Sequence, residues 1–381
     1  MSFTAIICEF NPLHNGHAHL ISKAKELGDD LLLIMSGNFV ERGEVAILSK
    51  EVRARHAILS GADLVLELPP YFAMSSAQIF AKGAISILNK LGVDKLVFGS
   101  ECGDIDALNK MVDLLDNEKD DYKNQLKINL DSGMLFAKAR TTAIENIYGQ
   151  SFANMLTHPN NILGVEYIRA LKSTNSKITP LTITREVNEN LYLSSSKIRE
   201  RILCGDLENV KAFLPSFAFN DLNDIKDKAA VDEKIFTLLK FALANKPAKL
   251  LKNVAEMTEG LENRIIKGIM QEENLGDFLN FVKSKRYTMA KIKRIVFNIL
   301  LDFDSNLAKN AILSLDHVKA LAVNKDKKHL LGLNSNLDII TNTKMLKNNI
   351  YYEAEKRADD LFRILHDKKI PNVDTHKVQL V

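Results

Sequence analysis

Cysteine, proline and long apolar runs are all scarce in this chain of 381 residues. Its three cysteines, Cys8, Cys102 and Cys204, are far apart and form no Cys-x-x-Cys pair. That disfavours a disulfide framework and a structural zinc, and fits a reducing cytoplasm. No apolar run reaches about 18 residues, so no membrane span is expected. No signal peptide precedes the first strand, which adds to the expectation of a cytoplasmic protein. Internal repeats and low-complexity segments are not evident, and no Asp/Glu pair has the spacing of a committed metal site. Beyond Pro247 the only proline is Pro371, and glycines are sparse there, which suits helices. Net charge is close to balanced at +3. Residues 1–205 carry 22 Lys+Arg against 24 Asp+Glu, and residues 206–381 carry 29 against 24. A mildly acidic first half and a basic second half suit a catalytic domain followed by a polyanion-binding one.

The most informative stretch is Ile6-Ile7-Cys8-Glu9-Phe10-Asn11-Pro12-Leu13-His14-Asn15-Gly16-His17. Phe3 to Cys8 is apolar without alternation, as in a parallel strand covered on both faces. Asn11-Pro12 breaks it. Gly16, Leu20, Ile21, Ala24 and Leu27 then recur at helical spacing, and Gly28 ends the helix. His14 and His17 fall in its first turn, where free N–H groups and the dipole favour an anion. Gly16 removes a side chain where a phosphate must approach the backbone. The same residues also suit a metal site, with no third ligand obvious, or two solvated histidines. Their place directly after the first strand of an α/β chain favours phosphate.

Further strands are expected at Leu31–Met35, Asp63–Leu68, Lys95–Phe98 and Leu181–Arg185. Helices fall between them at Ser49–Leu59, with Glu51 and Arg55 paired at i, i+4, and at Ala77–Leu91. This order predicts a Rossmann-like, doubly wound parallel sheet. The segment Ser36 to Glu44 is long for a βα connection, and loops at strand ends carry function. Residues 104–158 read as a helical insertion, with a solvated loop at Asp116–Asp121. His158 to Gly164 opens another helix, whose asparagines either cap it or read adenine or ribose. Arg185, at the C-terminal edge of its strand, is a phosphate or carboxylate ligand or a solvated charge. Ser194-Ser195-Ser196-Lys197-Ile198-Arg199 is an ordinary serine-capped helix or a second phosphate site.

From Asp206 the sequence predicts a mainly helical second domain. Its helices fall at about 231–245, 260–272, 276–284, 288–302, 305–314 and 350–366, with a short apolar segment, 315–323, that suits a strand. Lys283-Ser284-Lys285-Arg286-Tyr287-Thr288-Met289-Ala290-Lys291-Ile292-Lys293-Arg294 sets six cations around one tyrosine. It is a solvated helix face or a polyanion footprint in which Tyr287 stacks on an unpaired base.

His-x-Gly-His after strand one resembles the signature of the HIGH-motif nucleotidyltransferase superfamily. The string Glu9 to His17, together with Lys285-Arg286-Tyr287-Thr288, resembles one branch, the bacterial tRNA(Met) cytidine acetate ligases. Ser194 to Arg199 is similar to the superfamily's second signature. Cys8 beside Glu9, and Leu13, depart mildly from the pattern. The resemblance implies a nucleotidyltransferase-like ATP-binding domain over 1–205 and a tRNA-binding domain over 206–381. It implies that acetate attacks ATP to give acetyl-adenylate and pyrophosphate. The wobble cytidine of elongator tRNA(Met) then takes the acetyl group, giving N4-acetylcytidine and AMP.

On that reading His14, His17 and Lys197 are the catalytic candidates. The ATP-binding candidates are Ile7, Cys8, Glu9, Phe10, Asn11, Pro12, Leu13, His14, Asn15, Gly16, His17, Ala18, His19 and Leu20, with Gly99, Asn160, Arg185, Ser195 and Arg199. Lys283, Lys285, Arg286, Tyr287, Lys291 and Arg294 are the tRNA-binding candidates. Expected partners are ATP, acetate and the tRNA, with no DNA and no membrane. Mg2+ is the default expectation for ATP chemistry. The alternatives are a small-molecule adenylyltransferase of cofactor biosynthesis and a non-catalytic RNA-binding protein on the same scaffold.

Overall fold

The computed structural model of the chain describes residues 2–116, 120–134, 136–185, 193–225, 227–245, 248–333, 335–342, 350–370 and 377–381. Among these described residues ten strands lie at Phe3–Cys8 (β1), Asp30–Ser36 (β2), Phe39–Val40 (β3), Glu44–Val45 (β4), Leu64–Leu68 (β5), Lys95–Ser100 (β6), Thr179–Thr184 (β7), His317–Val323 (β8), Asp338–Ile340 (β9) and Gln379–Leu380 (β10). The main sheet runs β10-β8-β5-β2-β1-β6-β7, with β9 beside β8. β2, β5, β1, β6 and β7 pair in parallel, as the unalternating apolar runs require. β2 and β5 are buried along their whole lengths. β3 and β4 form a separate antiparallel ribbon.

The helices that follow β1 and β2–β4 begin where their caps dictate. His14 caps Asn15–Lys25, and Ser49 caps Lys50–Leu59 by accepting the Val52 N–H. Ala77–Leu91 ends at Gly92 in the left-handed region (φ 73°). The Glu51–Arg55 pair expected on the second of these helices is replaced by a long-range one. Arg55 binds Asp221, which also meets His56 Nε2 at 2.6 Å. Residues 105–154 form a run of helices at Ile105–Asp116, Asp120–Asp131, Phe136–Tyr148 and Gln150–Asn154, with no strand among the described residues, as expected of an insertion. The loop expected at Asp116–Asp121 lies partly outside the described residues.

The second half is mainly helical, yet it does not stand apart as the division at 205/206 implies. Its apolar segment 315–323 forms β8, which pairs antiparallel with β5 inside the first half's sheet. The helix Ile350–Leu365 is tied to the same sheet by buried charges. Lys50 Nζ lies 2.9 Å from Glu67 on β5 and 2.6 Å from Asp359, and Lys319 on β8 lies 2.9 Å from Glu355. Phe39 and Phe297 pack with ring centroids 5.1 Å apart, so the core is continuous across the two halves. The pairing is non-local, and a periodicity reading of the second half carries no signal for it.

Candidate nucleotide site

A cleft of about 710 Å³ opens at the C-terminal ends of β1, β6 and β7. Two helix N-termini face into it, at His14–His17 and at Ser194–Lys197. His14 Nδ1 accepts the Gly16 N–H at 3.1 Å, so the neutral ring carries its proton on Nε2. That Nε2 is buried and has no hydrogen-bond partner among the described residues. The His17 ring stacks on it, centroids 3.7 Å apart, and its Nδ1 is likewise buried and unpartnered. Burial lowers the His14 pKa to about 3, with Arg185 adding to the effect. Burial, and then the neighbouring His14 and Arg185, hold His17 well below its usual range. Two neutral imidazoles with unmet polar atoms at a helix N-terminus make a ready phosphate cradle.

Across the cleft, Ser194 Oγ caps the helix Ser195–Leu203 through the Lys197 N–H. Arg199 Nη1 donates to the Asn11 carbonyl at 2.7 Å, and its Nη2 meets Glu44 Oε2 at 3.2 Å. The two signature segments are therefore bonded to one another. On the far wall Glu101 caps the helix Pro159–Ser173. Its Oε1 accepts the Asn160 side-chain amide at 2.6 Å and its Oε2 the Asn161 N–H at 2.9 Å. Arg185 lies against β6, where a Cβ on Gly99 would sit 3.2 Å from its Cγ. Glycine at 99 leaves room for the aliphatic stem of Arg185 against the strand.

A HIGH Nucleotidyl Transferase family model matches residues 1–377. The chain is 36% identical to the tRNA(Met) cytidine acetate ligase of Clostridium perfringens, over 98% of each sequence. It is 38% identical to that of Caldicellulosiruptor saccharolyticus, over 95% of this chain and 93% of the relative. The crystal structure of Thermotoga maritima TmcAL bound with alpha-thio ATP superposes with a TM-score of 0.88 at 27% identity, each chain being covered completely. This chain belongs to the tRNA(Met) cytidine acetate ligase family. None of these relatives favours the cofactor adenylyltransferase or the non-catalytic alternative.

Most of the nucleotide-binding residues expected of this ligase family come together. Ile7, Cys8, Glu9, Phe10, Asn11, His14, Gly16, His17, His19, Leu20, Gly99, Asn160, Arg185, Ser195, Lys197 and Arg199 all line the cleft. Pro12, Leu13, Asn15 and Ala18 do not. Leu13 is in the core, and Asn15 turns its amide to the Ala212 carbonyl at 2.9 Å. The sequence reading missed Glu41, Arg42, Glu44, Glu101 and Tyr167 on the lining. The glycine-marked Ser36–Glu44 loop was the one available signal for the first three.

It also missed Arg53, whose side chain is fully buried beneath the cleft floor. Its guanidinium donates to the carbonyls of Glu9 (2.6 Å), Ser36 (3.0 Å), Leu48 (3.1 Å) and Gly37, which ties together the ends of β1 and β2. Among the described residues no group of three His, Cys, Asp or Glu side chains is arranged to hold a metal. No described helix is long and apolar enough to cross a membrane.

The basic stretch of the second half divides in two. Lys283, Lys285 and Arg286 are exposed, and Lys291 Nζ lies 5.3 Å from the Tyr287 ring centre. Arg294 does not join the surface expected to meet a polyanion. It is buried, with Nε 2.9 Å from Glu256 Oε1 and Nη1 3.1 Å from Glu41 Oε1. Lys293 is drawn to Glu44 at 2.7 Å. These two cations fasten the helix Met289–Leu301 to the β3–β4 ribbon, where Gly43 (φ 67°) has no room for a Cβ against the Arg294 backbone. Replacing Lys285, Arg286 and Lys291 together by alanine should weaken tRNA binding. The slope of log K against log salt, read by gel shift, should fall by roughly 2. Acetate-dependent pyrophosphate exchange should stay at the wild-type level. An unchanged slope would remove this surface from RNA contact.

Proposed function

We propose that this chain joins acetate to ATP, releasing pyrophosphate, and passes the acetyl group to N4 of the wobble cytidine in elongator tRNA(Met). The observation that carries this is the buried, proton-bearing His14 Nε2 left unpartnered at a helix N-terminus, facing a second helix N-terminus across the cleft. In the first step an acetate oxygen attacks the α-phosphorus and the bond to the β-phosphate breaks. His14, His17 and the two N-termini hold the phosphate oxygens as charge shifts to the leaving pyrophosphate. Lys197 and Arg185 supply positive charge around them. Phe80, Phe98, Ile162 and Leu163 give the cleft an apolar wall suited to a purine, with Asn160 at its edge. In the second step the cytidine amine attacks the acetyl carbon and AMP leaves.

The exposed Lys283, Lys285 and Arg286, with the half-buried Lys291, would hold the tRNA while the cytidine is splayed from its loop. On this reading the mainly helical part after residue 205 is the tRNA-binding part, and the protein works in the cytoplasm. The test is mass spectrometry of nucleosides from tRNA incubated with the protein, ATP and isotope-labelled acetate. Labelled N4-acetylcytidine is the expected product. Its absence, with pyrophosphate released on a cofactor precursor instead, would overturn the reading.

A further inference from the structure

We propose that Glu41 is the general base that takes the proton from the attacking cytidine amine in the second step. This rests on the function proposed above. In that step a bond forms between N4 and the acetyl carbon, and the bond from that carbon to the AMP oxygen breaks. One N4 proton must leave. The first step needs no such group, because acetate is already ionised at neutral pH. A proton acceptor is therefore wanted only where the RNA side of the molecule meets the adenylate.

Among the described residues four carboxylates line the cleft: Glu9, Glu41, Glu44 and Glu101. Two are committed elsewhere, and the bonds of the third, Glu9, stay within the first half. Both oxygens of Glu101 cap the helix Pro159–Ser173. Glu44 bridges Lys293 (2.7 Å) and Arg199 (3.2 Å), and although burial pushes its carboxyl up, these cations draw it down. Glu9 is half-buried, its Oε1 accepting the Glu41 N–H at 2.8 Å and the Ser36 hydroxyl at 3.3 Å; burial raises its carboxyl too, but it makes no bond to the helical half among the described residues. His14 and His17 are held far too low to be good bases near neutrality.

Glu41 differs in position and in environment. It lies between β3 and β4, and Arg294 joins its Oε1 to the helix Met289–Leu301. That helix begins beside the exposed Lys283, Lys285 and Arg286, so the Glu41 carboxylate stands where the nucleotide cleft meets the expected RNA path. Arg294 is itself gripped by Glu256, which fixes the geometry. The charged groups around Glu41 are Arg294 and Glu256 on the helical side, Glu9 just after β1 and Arg42 on its own loop. Burial lifts its carboxyl to about 7, against Arg294 and with help from Glu9. Such a group is about half ionised at neutral pH, where a base is most effective.

The experiment measures single-turnover transfer from chemically prepared acetyl-adenylate to an unmodified tRNA(Met) transcript, over about pH 5.5–8.5. Acetate-dependent pyrophosphate exchange reads the first step separately. Wild-type transfer should rise through an inflection near 7. Glu41→Gln keeps an acceptor for Arg294 and should retain exchange. Its transfer should fall by about 10²–10⁴-fold and lose the inflection. Glu256→Gln frees Arg294 to favour ionised Glu41, and should move the inflection to lower pH without removing it. A Glu41→Gln enzyme with the wild-type pH profile would overturn the proposal and leave Glu41 as a partner of Arg294 only. So would loss of the inflection in His19→Asn instead, since His19 also lines the cleft. If wild-type enzyme neither exchanges pyrophosphate with acetate nor transfers acetyl, the function itself fails and Glu41's role falls with it.

Discussion

Replacing His14 by asparagine should cut acetate-dependent pyrophosphate exchange by about 10²–10³-fold, the usual cost of losing one preorganised donor at a reacting centre. Asparagine is chosen because it is a good N-cap and can still accept the Gly16 N–H that His14 Nδ1 now accepts at 3.1 Å. The helix start should survive, and the Tm should stay within a few degrees of wild type. What is lost is the Nε2 donor, which is buried and unpartnered among the described residues. Affinity for tRNA, measured by gel shift, should be unchanged, because the exposed cations lie on another part of the molecule. Exchange within about threefold of wild type would mean that His14 makes no phosphate contact and only caps its helix.

The second large effect is expected at Arg53. Its side chain is the largest of those fully buried, and its donors meet four backbone carbonyls at the ends of β1, of β2 and of the loop before the helix Lys50–Leu59. Methionine would fill much of the space and satisfy none of them. Leaving several buried acceptors unmet should cost on the order of 4 kcal/mol, seen in a melting curve as a fall of roughly 5 °C. Arg53→Lys should recover only part of this, since one ammonium cannot match the forked geometry. Because the same carbonyls belong to Glu9, Ser36 and Gly37, ATP binding should weaken as well. A Tm within about 2 °C of wild type would show that the loops close without the guanidinium.

The five parallel strands and the two facing helix starts were legible in the sequence because each is announced locally. Apolar runs without alternation, glycine stops and serine or histidine caps all act within a few residues. What the sequence hid depends on partners far along the chain. Arg294 has the look of a surface cation until Glu256 and Glu41 are seen beside it, 38 and 253 positions away. Arg55 stands one helical turn from Glu51 yet binds Asp221. Lys50, Arg53 and Glu67 read as ordinary polar positions, and all three are buried. The segment 315–323 is visibly apolar, but nothing in it says that its neighbour is β5.

That last pairing has a consequence in time. β5 ends at Leu68 and β8 begins at His317. During synthesis the outer edge of β5 must wait for roughly 250 further residues before its partner strand exists. At about 5–20 residues per second that is on the order of 12–50 s. Through that interval the nascent chain carries an unpaired strand edge that is apolar but for Glu67. Glu67 and Lys50 meanwhile have each other but not yet Asp359. The nucleotide half of this protein is thus made first but completed last, and a chaperone's attention falls naturally on that edge.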